Sequence, residues 1–350
     1  MKKDLHGDNR LIGRSRLAAV VVVLMVLTGL GMWHTAGGER PDRELYIRRP
    51  SAVMGTESSL AAVVAPGGRS RAEEALEAAE RSLRRVEALM SAWIEDSELS
   101  RLNRAGAGIE TPLSPETLAV LRAARAAYDR TGGAFDVTCR PLIELWREAE
   151  RQGRMPTGEQ IEQARAESRW DHFELTESGA VKSVATARID LGGIAKGYGI
   201  DRAAEALEGA GLMGGMVFVG GDLALFGEPS AGHGWPVRVR DPADENASLG
   251  MVVLSGGAVC TSGDYARYGE IQGRRLSHII DPRTGWPAES ASSVTVLAPD
   301  ALTADVWATA LAVLGPEGFD MLPEGVEALM LTGSPEATRL ERTAGFPELE

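Results

Sequence analysis

The segment Asp190-Leu-Gly-Gly-Ile-Ala-Lys-Gly197 constrains this chain more than any other stretch of it. The residues before it, through Ile189, read as a strand, and those after it, from about Tyr198 to Leu207, as a helix. A glycine-rich turn between a strand and a helix presents bare backbone amides and a helix N-terminus. Here a carboxylate precedes the turn and an ammonium, Lys196, lies inside it. Those are the parts that hold an anionic, phosphate-bearing ligand. Two better-known phosphate signatures are excluded. The Walker pattern needs a hydroxyl after its lysine, and Gly197 follows Lys196. A G-x-G-x-x-G does occur at 209–214, but it follows a helix and precedes the strand Met216–Val219, the reverse of the dinucleotide order, so it reads as a helix stop and loop. H-x-x-x-H, C-x-x-C and G-x-S-x-G are absent, which removes the usual support for zinc hydrolase, thiol redox and serine hydrolase chemistry.

The 350 residues suffice for one large domain or two ordinary ones, and the net charge of −13 makes a poor partner for nucleic acid. The N-terminus runs against that balance: Lys2, Lys3, Arg10, Arg14 and Arg16 face only Asp4 and Asp8. This basic leader, residues 1–16, precedes an uncharged apolar run over 17–33. Basic residues before such a run predict a signal-anchor or signal peptide, with the body exported across a bacterial inner membrane to its periplasmic side. An uncleaved anchor is favoured because no A-x-A cleavage site is visible, and no cysteine follows the run to carry a lipid. Residues 34–50 read as a polar linker and 51–345 as the folded body. Cys139 and Cys260 are the only cysteines, and the sequence leaves open whether they pair.

Apolar residues recur at helical spacing over 71–90, and a second helix opens at the cap Ser114-Pro115 and stops at Gly132-Gly133. Further helices are expected near 142–150 and 158–167. The second half changes character: a hairpin over 173–189, strands near 216–219, 237–240, 251–254, 277–280 and 293–297, a helix over 301–314 and a closing strand over 326–331. Strands in succession, separated mostly by turns, predict an α+β body with a mainly antiparallel sheet packed by helices. The helix over 301–314 places Asp305 and Thr309 one above the other. Its flanks, Ala304, Val306, Trp307, Ala308 and Ala310, are apolar, so the carboxylate is expected to be buried and in need of a partner. Two hard oxygens suit Mg²⁺ or Ca²⁺ better than zinc.

Small residues surround polar groups in several other clusters: Gly133-Ala-Phe-Asp136, Gly220-Gly-Asp222, Thr261-Ser-Gly-Asp-Tyr265 and His278-Ile-Ile-Asp-Pro-Arg-Thr-Gly285. With Met54-Gly-Thr56, Trp93 within 90–103, the turn at 190–197, and Ala304-Asp305 through Thr309, they follow one another in an order that resembles the FAD:protein FMN transferases, the ApbE family. The resemblance covers nearly all of residues 51–335 and implies a T-fold-like body. It implies FAD as substrate, held at the positions of Met54, Trp93, Ala134, Phe135, Asp136, Asp190, Lys196, His278 and Ile279. It also implies Mg²⁺ on the FAD pyrophosphate, held at Gly193, Asp305 and Thr309 with Ala308 beside them. The expected reaction moves FMN from FAD to a Ser or Thr hydroxyl of an acceptor redox protein, and AMP leaves. Asp305 and Lys196 would neutralise charge, and His278 is the candidate to receive the hydroxyl proton or to pack on flavin. One departure stands out: Phe218-Val219 precede Gly220 where the family usually carries an asparagine. Two alternatives stay open, a metal-dependent FAD pyrophosphatase and a non-catalytic exported flavin-binding protein.

Overall fold

A computed structural model describes residues 42–242, 244, 247–263, 268–333 and 338–350. The leader and apolar run, and with them the expected membrane segment, lie outside the described residues, as do Asp264 and Tyr265. Strands β1 (Glu44–Arg48) and β2 (Ser58–Val64) are followed by helices α1 (Arg69–Met90) and α2 (Glu98–Arg104). Strand β3 (Glu110–Pro112) leads to α3 (Pro115–Arg130), α4 (Arg140–Gln152) and α5 (Gly158–Glu167). The short pair β4 (Phe173–Leu175) and β5 (Gly179–Lys182) precedes α6 (Ala195–Gly209). Then come β6 (Gly214–Val219), β7 (Asp222–Gly227), β8 (Trp235–Arg240), β9 (Ser248–Leu254) and β10 (Gly256–Gly263). A hairpin of β11 (Tyr268–Ile271) and β12 (Arg274–Ser277) precedes β13 (Ser293–Ala298) and α7 (Ala301–Leu314), and β14 (Glu327–Thr332) and β15 (Arg339–Arg342) close the chain.

Eight strands form one antiparallel sheet in the order β1-β2-β6-β7-β10-β13-β14-β15. Side chains alternate across it. Leu60, Ala62, Val217, Ala224, Cys260 and Val296 face one core with the apolar stripe of α1 and with α6 and α7. Ala61, Val63, Met216, Phe218, Leu223 and Leu329 face a second core, closed by the β8–β9 ribbon through Trp235, Val237 and Val252 and by Phe346. The expected α+β, mainly antiparallel architecture is therefore the observed one. The G-x-G-x-x-G does end α6, turn at Gly211 and enter β6.

Several boundaries differ from the sequence reading, each for a physical reason. Residues 44–48 are not linker. Leu45 and Ile47 reach the second core and Tyr46 the first, a two-residue alternation that makes this segment the sheet's edge strand. The strand expected over 181–189 ends at Lys182, because that fully buried ammonium donates to the carbonyls of Asn103, Ala185 and Ala187 and the chain curls around it. The strand expected over 277–280 ends at Ser277, whose hydroxyl accepts from the Ile279 amide. The polar clusters at Asp222 and Thr261 are themselves strand residues, in β7 and β10.

Helices α6 and α7 meet at Gly197, where an added Cβ would stand 2.3 Å from the Ala301 carbonyl oxygen and 2.8 Å from Leu302 Cα. Both contacts are backbone, so neither can step aside. Gly197→Ala is expected to cost at least the upper end of about 1–3 kcal/mol and to lower the melting temperature by roughly 5–10 °C. Thermal unfolding measures it, and an unchanged midpoint would contradict this contact.

Candidate functional site

The site is assembled where the turn at 190–197 meets the side of α7. Asp190 is placed from two directions: its amide donates to Val137 O at 2.7 Å, and its carboxylate accepts from Arg140 of α4 at 3.3 Å. Asn103 holds the residue before it, accepting from the Ile189 amide at 2.7 Å and donating to the Ile189 carbonyl at 2.8 Å. The turn's amides are less free than its sequence suggests. That of Gly192 is spent on Asp190 Oδ1, those of Ile194 and Ala195 on Leu191 O, and that of Gly197 on Asp305 Oδ2 at 2.9 Å. The positive end of α6 is thus aimed at a carboxylate of the neighbouring helix.

Asp305 is 3% exposed, and burial raises its pKa against the opposing pull of Lys196 and the Gly197 amide. Thr309 lies one turn on. Gly193 sits directly against it: a Cβ there would lie 2.9 Å from Thr309 Oγ1 and 3.3 Å from the Phe135 ring. Gly193, Asp305 and Thr309 are therefore brought together, with Ala308 buried between them on α7. Lys196 donates to Asp222 Oδ2 and stands 4.0 Å from Asp305 Oδ1.

Most of the remaining expected flavin positions surround this centre. Phe135 bridges to it, and Ala134 packs with Ile279 and Ala288. That contact brings the His278-Ile279 segment alongside the Ala134–Asp136 loop, with the His278 side chain exposed. Asp136 lines a cleft with Tyr128, Gly133, Arg169 and Arg283. Its carboxylate accepts from the amide and hydroxyl of Thr138, and burial nonetheless pushes its pKa up to about 6. Met54, with φ of +52°, reaches α6 near Gly199, where a Cβ would lie 2.7 Å from the methionine methyl. Trp93 stands furthest out: it is 82% exposed, and its ring carries the guanidinium of Arg147 at 5.5 Å. Arg147 lies two turns along α4 from Arg140, about 10 Å by helical rise, so Trp93 flanks the site rather than lining its centre.

Sequence reasoning assigned no role to Asn103, Lys182, Arg140 or Asp201, and it noted Asp222 only as part of a glycine turn. Nothing local in the sequence marks Lys182, since its partners are carbonyls distant in the chain. Asp201, on the buried side of α6, accepts from the first amides of α7, Ala301 at 2.7 Å and Leu302 at 2.9 Å. Burial pushes its carboxyl up to about 6, with the two amides opposing and Asp300 adding to the rise. The Phe218 departure belongs to the second core, on the sheet face away from Asp222. Both cysteines are free.

A carboxyl near 6 when folded, against an ordinary 3.8, holds its proton more tightly in the native state. Stability therefore falls as pH rises from about 4 to about 6, by roughly 1–3 kcal/mol. Asp201→Asn should flatten that decline, leaving the part of the same sign that Asp136 and Asp305 contribute. Urea unfolding at pH 4 and pH 7 measures it, and equal slopes in the two proteins would contradict the assignment.

The ApbE family profile matches residues 54–330. The FAD:protein FMN transferase of Vibrio cholerae is 36% identical over 287 residues, 81% of this chain and 85% of that one. The FAD:protein FMN transferase of Escherichia coli K12 is 35% identical over 254 residues, 70% of this chain and 72% of that one. Among solved structures, the flavin transferase ApbE from Vibrio cholerae superposes with a TM-score of 0.75 at 31% identity, covering 87% of this chain and 98% of its own. The ApbE protein from Thermotoga maritima does so with a TM-score of 0.74 at 32% identity, with the same coverage of both chains.

Proposed function

Because the chain belongs to the ApbE family, we propose that it is an FAD:protein FMN transferase, moving FMN from FAD to a Ser or Thr hydroxyl of an acceptor redox protein. The acceptor oxygen bonds to the FMN phosphorus, the bond from that phosphorus to the bridging oxygen breaks, and AMP leaves with the bridging oxygen. The observation that carries this reading is the convergence of Gly193, Asp305 and Thr309 beside Lys196, in the wall next to Phe135.

These residues fit a resident Mg²⁺. The buried cluster holds two carboxylates, Asp222 and Asp305, against one ammonium, so it is short of positive charge. Gly193 keeps open the space before the Thr309 hydroxyl that a Cβ would fill. Among the described residues no three His, Cys, Asp or Glu side chains converge on a metal position. The donor set would then be the Asp305 carboxylate, the Thr309 hydroxyl and a backbone carbonyl of the turn at Gly193, hard oxygens that leave room for substrate phosphates. When bound there, Mg²⁺ would offset the charge of the pyrophosphate and of departing AMP.

The chain's own residues supply the rest. Asp190 and Asn103 fix the turn against Arg140 and Ile189. Phe135, Ala134 and Ile279 form an apolar wall that orients flavin and excludes water from the phosphorus. His278, exposed at the rim of that wall, receives the proton of the acceptor hydroxyl. Release of the body to the far side of a membrane, tethered through residues 17–33, belongs to the same proposal and is supported by the basic leader and apolar run.

The test is acceptor dependence. With FAD, Mg²⁺ and an acceptor domain, AMP release should match FMN incorporation and fall to a low background without acceptor. Equal AMP release without acceptor, with free FMN as co-product, would establish the pyrophosphatase instead. Bound FAD with no AMP under either condition would leave only the carrier.

A further inference from the structure

Asp222 is 1% exposed and lies at the start of β7, across the sheet face from α6 and α7. Its two oxygens have different partners: Oδ1 accepts from the Thr261 amide of β10 at 2.9 Å, and Oδ2 from the Lys196 ammonium. The lysine is thereby held at the far side of a triangle whose third corner is Asp305, with Nζ still 4.0 Å from Asp305 Oδ1. Asp305 Oδ2 is spent on the Gly197 amide. Oδ1 is thus the oxygen without a hydrogen bond among the described residues, and the one a relaxed lysine would take. A buried carboxylate and a partly buried ammonium at hydrogen-bond distance would satisfy each other and close the position to a cation.

We propose that Asp222 is a positioning residue that tethers Lys196 away from Asp305 and so keeps Asp305 Oδ1 available to a divalent cation. The inference rests on the metal reading above and adds a residue which that reading does not use. It gives a physical reason for a buried acid at the head of β7. The anchoring of Oδ1 on the Thr261 amide is what makes the tether rigid, because the carboxylate cannot rotate to follow the lysine.

The test is a double-mutant cycle on the affinity of the protein for Mn²⁺ alone, read from the electron paramagnetic resonance signal of the free ion. Asp222→Asn, which keeps an acceptor for the Thr261 amide, should weaken Mn²⁺ binding about 10–100-fold. Lys196→Gln removes a cation 4.0 Å from Asp305 Oδ1 and so should strengthen Mn²⁺ binding in either background, but by a clearly larger factor in the Asp222→Asn background, where it also removes the residue that blocks Asp305. Such non-additivity distinguishes a tether from a general field effect, under which each charge change would shift affinity by the same factor in both backgrounds. Additive shifts, or an unchanged affinity in Asp222→Asn, would overturn the proposal. Should Asp222→Asn not fold, Asp222→Ser serves in the same cycle. Wild-type protein that binds no Mn²⁺ at all would overturn the metal reading itself, a result distinct from either of those.

Discussion

Asp305→Ala is expected to reduce FMN transfer by about 10³-fold or more, since on the proposed reading it removes the carboxylate that would hold a cation opposite a developing phosphate charge. The substitution does not touch Phe135, Ala134 or Ile279, so bound flavin should persist while turnover is lost. The helix should survive as well. The buried position gains an apolar side chain, the Gly197 amide loses its acceptor, and that single unmade bond costs about 1–3 kcal/mol. Lys196 then keeps Asp222 as its partner. The measurement is AMP release under saturating FAD, together with flavin retained on gel filtration. Wild-type AMP release from this variant would show that Asp305 holds no catalytic cation.

His278→Asn should slow transfer by about 10²–10³-fold, the usual contribution of a positioned acid–base group. Asparagine retains a polar side chain at the exposed rim but cannot take up a proton. The loss should appear in kcat with KM for FAD little changed, and the acid limb of the rate profile should flatten. If His278 only packs against flavin, the loss falls on KM and the pH profile keeps its shape. The neighbouring Ile279, wedged among Ala134, Ala288 and Leu314, anchors the segment independently of the imidazole. A fold defect is therefore not expected to mimic either pattern.

How much of this could be read in advance depended on the range of the interactions. Helix α7 spans the residues expected of it, because its cap Asp300 accepts locally from Thr303 and its apolar faces repeat within the segment. Asp305 and Thr309 were legible for the same reason, being neighbours on one helix. Gly193 and Lys196 stood out in the sequence as parts of a glycine-rich turn, but their partners in the fold did not. Lys196 looked like a free cation for phosphate, whereas the fold ties it to Asp222, twenty-six residues on and in a different layer. The Gly197 amide looked available to a ligand and is consumed by Asp305, 108 residues away. Strands β1, β7 and β10 were missed because glycine, polar and charged residues obscure their alternation, and only pairing within the sheet makes them strands. Trp93 stands exposed beneath Arg147, a pairing with α4 that nothing in its own neighbourhood of sequence announces.

The most direct measurement is the intact mass of an acceptor domain after incubation with the protein, FAD and Mg²⁺. A flavin transferase adds one FMN to a single hydroxyl residue, gives an equal amount of AMP, and does neither after chelation of the metal. An acceptor whose mass is unchanged while FAD is bound, or is cleaved to free FMN, would contradict the transferase reading.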